Sequence, residues 1–144
     1  MLPESIQLIV VTPERQLLRE SVVEVTVPGL DGQLGILPGH APLMTELGIG
    51  ELSYRTNTSS RPIVLAVISG FAEVLPDRVI VLADAAERAA EIDAARARNA
   101  LAGAEKAAAS SAGAELEAAQ LAAGRARTRL EVAAPAGAHA EAHH

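Results

Sequence analysis

The 144-residue chain has no cysteine and no tryptophan, and only one phenylalanine and one tyrosine. Without cysteine there is no disulfide frame, no thiolate metal site and no cysteine nucleophile, and the compartment cannot be read from redox chemistry. With only two aromatic side chains there is no platform on which bases or sugars stack, which argues against nucleic acid as a partner. Positive charge is also short. Twelve basic residues stand against eighteen acidic ones, a net charge of -6, the wrong sign for holding a polyphosphate backbone through the overall field. Long apolar runs are missing as well: Pro62 to Phe71 is the longest, about half of the roughly 20 residues a membrane-crossing helix needs. Membrane contact is therefore expected to be indirect. The start, Met1-Leu2-Pro3-Glu4-Ser5, lacks the basic beginning and apolar stretch of a secretory signal, so the mature chain is expected to begin there.

What is present divides in two near residue 84. Residues 1–84 hold 4 alanines, 7 of the 8 prolines and 7 of the 11 glycines, whereas residues 85–144 hold 26 alanines and only Pro135. The first part is punctuated like a β domain. Short β-branched runs, Ile6 to Val11, Val22 to Val27, Ile63 to Ile68, Phe71 to Leu75 and Val79 to Ala83, predict an antiparallel β-sandwich or flattened barrel. Asn57-Thr58-Ser59-Ser60 and Pro76-Asp77 supply hairpin turns. The second part alternates alanine with charge from about Glu87 to Ala109 and from about Ala114 to Ala133, with a pause at Ser110-Ser111-Ala112-Gly113. This predicts an antiparallel two-helix hairpin over 85–133, completing an α+β chain. Residues 134–144 lack periodicity and read as a disordered tail.

On the first helix Ala90, Ala94, Ala97, Leu101, Ala104 and Ala108 follow alternating spacings of four and three, and Leu116, Ala119, Ala123, Ala126, Leu130 and Ala133 repeat the pattern on the second. Seams built almost wholly of methyl groups let helices approach closely, yet each buried CH₂-sized group contributes only about 0.8 kcal/mol. High helix propensity with weak docking suits a movable arm; a permanently docked cap is equally compatible with the composition. Folding the pair about a turn near residue 111 sets Asp93 level with Arg129 and Arg96 level with Arg125. All four lie one residue before a seam position, on one edge. One carboxylate among three guanidiniums fits a polyphosphate, and interhelix salt bridging competes with that reading.

Signals for catalysis are thin. His40 is the only histidine outside the tail, and Pro38-Gly39-His40-Ala41-Pro42 reads as a tight loop in which the imidazole bonds to backbone. No Gly-Lys-Ser or Gly-Lys-Thr phosphate loop is present, and no helix follows the series Gly29, Gly32, Gly35, Gly39. His139, His143 and His144 read as a solvated tail rather than a metal site. A non-catalytic chain is expected, with a small hydrolase using His40 the weakest of the competing readings.

The segment Asp31-Gly32-Gln33-Leu34-Gly35-Ile36-Leu37-Pro38-Gly39-His40-Ala41-Pro42-Leu43 resembles the signature loop of the epsilon subunit of F-type ATP synthases. Thr12-Pro13-Glu14, Ser69-Gly70-Phe71-Ala72-Glu73-Val74 and Val79-Ile80-Val81-Leu82-Ala83-Asp84 agree in order, and the resemblance spans residues 5–133. It implies a central-stalk subunit whose sandwich contacts the gamma subunit and the c-ring, with Asp31, Gln33 and His40 the polar members of the docking loop. It further implies a regulatory arm that is compact when permissive. When inhibitory, the arm extends toward the alpha and beta subunits, with Arg125, Arg127 and Arg129 on its basic side. Some bacterial members bind ATP in the compact state. Ile92-Asp93-Ala94-Ala95-Arg96-Ala97 fits their motif, Arg125 and Arg129 fit its second-helix element, and Glu87 sits where an adenine-side contact is found. ATP is thus expected as a regulatory ligand, with no resident cofactor and no metal. The implied location is peripheral, on the cytoplasmic face of a bacterial plasma membrane or on a plastid thylakoid. The reading from another class is a stand-alone nucleotide sensor or adaptor with the same hairpin.

Overall fold

The computed structural model describes residues 3–134, and the chain divides into two compact units, one ending at Glu87 and the other starting at Arg88. The first unit carries seven strands: β1 (Ile6–Val11), β2 (Gln16–Val22), β3 (Glu24–Gly29), β4 (Gly32–Ile36), β5 (Leu43–Arg55), β6 (Ile63–Leu75) and β7 (Arg78–Arg88). They form one sheet in the order β2-β1-β7-β6-β5-β3-β4. Alternation drives the layering. Ile6, Leu8 and Val10 of β1 point inward while Gln7, Ile9 and Val11 face outward. Residues from both ends of the strand order, such as Leu18 of β2 and Ile36 of β4, share a single core with Leu47, Leu52 and Leu65, so the sheet must curve back on itself into two layers.

The fold class read from the sequence stands, with one pair running against it. β1 and β7 are parallel, in the register Gln7 to Arg78 through Val11 to Leu82. β7 takes its direction from the Pro76-Asp77 connection to β6, and its place between β6 and β1 then fixes the parallel pairing. Three strands escaped the sequence reading: β2, β4 and β5. Each carries the glycines or charges that elsewhere signal loops. Gly50 in β5 is there for space, since a Cβ would lie 2.9 Å from the Pro28 ring carbon Cβ. The runs Ile63 to Ile68 and Phe71 to Leu75 are one strand. Ser69 and Gly70 between them have φ of 56° and 134°, a local kink that pairing with β5 survives. A Cβ on Gly70 would collide with the Leu82 carbonyl.

The compositional break near residue 84 falls inside β7, whose Ala83 and Ala86 are buried in the sandwich core. The second unit continues with a 3₁₀ turn, Ala89–Glu91, and two helices, α1 (Ala94–Ala109) and α2 (Gly113–Ala133). The first helix therefore starts seven residues after Glu87. Asp93 stops it from starting earlier: its backbone is extended, with φ -83° and ψ 99°, and its Oδ1 accepts the Arg96 N–H at 3.0 Å. The Ser110 hydroxyl donates to the carbonyls of Lys106 and Ala107 at the other end of α1, and Gly113 opens α2 with φ 61°. The three-residue connection makes the helices antiparallel neighbours.

Ala97, Ala104, Ala119, Ala123 and Ala126 are buried, as the methyl seam requires, while Ala90 lies exposed in the 3₁₀ turn. Thr128 and Val132 are buried too, on the side of α2 away from that seam, and the 3₁₀ turn also packs on α2. The reading of residues 134–144 as disordered lies outside the described residues apart from Ala134, as do the three tail histidines.

Candidate docking surface and arginine edge

The signature segment forms two loops. Leu30 and Asp31 make a two-residue turn between paired Gly29 and Gly32. Glycine is needed at both ends: Gly32 has φ 132°, and a Cβ on Gly29 would sit 2.5 Å from the Gly32 carbonyl oxygen. The turn leans on β5 through the Leu30 N–H, which donates to the Glu46 carbonyl at 2.9 Å. Asp31 and Gln33 are exposed here, beside an exposed Leu30.

His40 stands on the second loop. Pro38 and Gly39 are the central residues of a type II turn, with Gly39 at φ 88° and the His40 N–H donating to the Leu37 carbonyl at 3.1 Å. The Gly39 N–H donates to the Pro76 carbonyl at 2.8 Å, which pins this loop to the β6–β7 connection. The His40 ring bonds the Ala41 carbonyl through Nδ1 at 2.7 Å, so Nδ1 carries the proton. Among the described residues no group of His, Cys, Asp or Glu is placed to hold a metal ion.

A third surface feature had no place in the sequence reading. On β5 and β6, Met44 faces Glu73 and Glu46 faces Phe71, and the Leu82 carbonyl of β7 lies against Gly70. Met44, Phe71 and Leu82 thus stand on the outer side of three neighbouring strands, 63%, 51% and 55% exposed. The signal was available in the alternation. The chain's single phenylalanine and Leu82 each precede an inward alanine, Ala72 and Ala83, and so occupy outward positions. Exposed apolar side chains grouped on one face suit protein contact.

The arginine edge belongs to the hairpin. Antiparallel packing about the Ser110–Ala112 connection brings Asp93 and Arg129 to the open end, with Arg96 and Arg125 about one turn further in. Asp93 forms no ion pair among the described residues, because its carboxylate caps α1. Arg96 is exposed and Arg125 half-buried, and among the described residues neither guanidinium has a partner; Arg129 is half-buried and engaged in an interaction of its own. Among the described residues, interhelix salt bridging thus engages neither Arg96 nor Arg125. Ala97 is buried in the seam and its N–H donates to the Asp93 carbonyl at 3.0 Å, so its contribution is close packing. Ile92 is half-buried just ahead of the cap. Arg127 is exposed on the other flank of α2 from Arg125 and Arg129. Glu87 belongs to the sandwich unit, at the end of β7.

Residues 5–89 match the model of the family described as the ATP synthase delta/epsilon chain, beta-sandwich domain. The chain is 50% identical over 133 residues to the ATP synthase epsilon chain of Solibacter usitatus, covering 92% of this chain and 98% of that one. It is also 50% identical over 129 residues to the ATP synthase epsilon chain of Herpetosiphon aurantiacus, covering 89% and 93%. Among solved structures, a chain of the Euglena gracilis mitochondrial ATP synthase assembly of OSCP, F1 and c-ring superposes with a TM-score of 0.80 at 24% identity, over 92% of this chain and 83% of that one. A chain of the Tetrahymena thermophila mitochondrial ATP synthase central stalk and c-ring gives 0.59 at 14% identity, over 90% and 96%. At these identities the structures establish the shared fold.

Proposed function

The chain belongs to the ATP synthase delta/epsilon family, and on that premise we propose that it is a non-catalytic central-stalk subunit coupling proton flow to ATP synthesis. The observation that carries this reading is the 50% identity that runs through both units, sandwich and hairpin, to a chain named ATP synthase epsilon chain. The sandwich docks on the gamma subunit and the c-ring through the two loops bearing Asp31, Gln33 and His40. The outward row Met44, Phe71 and Leu82 supplies apolar area for such contact. The chain acts at the cytoplasmic face of the bacterial plasma membrane without entering it. In keeping with this, no helix among the described residues is long and apolar enough to cross a bilayer.

The hairpin is the regulatory arm, restraining ATP hydrolysis when extended toward the alpha and beta subunits and releasing it when compact. Its seam of alanines supports that reading, because little apolar area has to be exposed when the arm moves. ATP is the regulatory ligand, held at the edge of Arg96, Arg125 and Arg129. The guanidiniums of Arg96 and Arg125, without a partner among the described residues, support this assignment.

Two experiments test the proposal. Tagged chain expressed in its own cells should co-purify from membranes with a gamma-containing complex, and a chain recovered alone would favour the stand-alone sensor. Millimolar ATP should raise the melting temperature of the isolated chain, and Arg125→Ala with Arg129→Ala should abolish the shift. An unchanged wild-type melting curve removes the ATP-sensing part and leaves the coupling role standing.

A further inference from the structure

Asp93 sits inside the group of residues that would hold a nucleotide, yet its carboxylate is turned toward the backbone. Oδ1 accepts the Arg96 N–H at 3.0 Å, the Asp93 carbonyl accepts the Ala97 N–H at 3.0 Å, and the side chain makes no ion pair among the described residues. The residue thus spends its side chain on the first turn of α1, where otherwise orphaned N–H groups need acceptors. Arg96 is the third residue of that turn, so its guanidinium has a fixed origin only while the turn is closed. Upstream, the 3₁₀ turn Ala89–Glu91 is built of good helix formers. The cap keeps that stretch from merging with α1.

We propose that Asp93 is a positioning residue for the arginine edge: it holds Arg96 in place by capping α1, and its negative charge is no part of ligand recognition. This inference rests on the ATP-sensing reading above. The two roles it separates, cap and ligand contact, differ in sign. A carboxylate beside Arg96, Arg125 and Arg129 offsets one of three positive charges and opposes a polyanion. A cap needs only an acceptor, and asparagine caps about as well as aspartate.

The test uses the full chain with three forms, wild type, Asp93→Asn and Asp93→Ala, titrated at low salt with ATP and with inorganic tripolyphosphate. Amide exchange at Arg96 and Ala97 is followed in parallel. Asp93→Asn is expected to keep the wild-type protection of both amides and to bind both anions at least about twofold more tightly. Asp93→Ala is expected to lose that protection and to bind both more weakly than Asp93→Asn. Equal weakening of ATP binding by the two substitutions would overturn the proposal, because the charge itself would then be a contact. So would a gain confined to ATP and missing with tripolyphosphate, which would place the carboxylate at the base. Unchanged exchange in Asp93→Ala would overturn the capping role. Failure of the ATP-sensing reading is recognised separately, by a wild-type chain that shows no saturable response to either anion; that result ends the site and Asp93's part in it together.

Discussion

The two units solve the problem of burial in opposite ways. The sandwich packs its largest side chains, Ile6, Leu8, Ile36, Leu47, Leu52 and Leu65, almost wholly out of water, and every strand contributes. The hairpin buries five alanines, one threonine and one valine. At about 1.5–3 kcal/mol for a large buried side chain against about 0.8 kcal/mol for a methyl, the sandwich is held by its tertiary core and the helices mainly by their own backbones. Stability within one chain is thus uneven.

The sharpest way to break this comparison is truncation. Ending the chain after Arg88 should leave a sandwich that unfolds in one cooperative step, assembles with its partners and no longer restrains ATP hydrolysis. Ending it after Val81 should abolish folding, because β7 separates β1 from β6 in the sheet. Circular dichroism and denaturant titration of both forms check this. Within the sandwich, Leu52→Ala should lower unfolding free energy by about 2–5 kcal/mol. Alanine replacements at Gly103 and Gly124, where a Cβ would meet nothing within 4 Å, should act only on the hairpin. Each should raise its stability by up to about 1 kcal/mol, read as slower amide exchange in α1 and α2. The smallest effect is expected at the rim of the sandwich. The Arg55–Glu24 pair, 2.8 Å apart and with both side chains more than 40% exposed, is screened, and Glu24→Gln should change stability by less than about 1 kcal/mol.

What could be read in advance followed the same division. β1 was legible to the residue because its apolar alternation is uninterrupted. β5 was not, since Gly48 and Gly50 in its middle look like turn residues until the Pro28 ring that Gly50 accommodates is known. Such long-range reasons leave no local trace. In the hairpin, the seam was plain from spacing, and the grouping of Asp93 and Arg96 with Arg125 and Arg129 followed from it. The role of Asp93 did not follow, because a cap and a charge partner have the same residue type and position. The buried pair Thr128 and Val132 went unseen because a one-turn spacing away from the main stripe is too short a pattern to stand out.

The parallel ladder between β1 and β7 sets an order of events during synthesis. The first strand leaves the ribosome able to pair with β2 alone, and its other edge stays open until a strand made about seventy residues later arrives. The sandwich is therefore begun first but closed only when its last strand is out, and the hairpin is made after it.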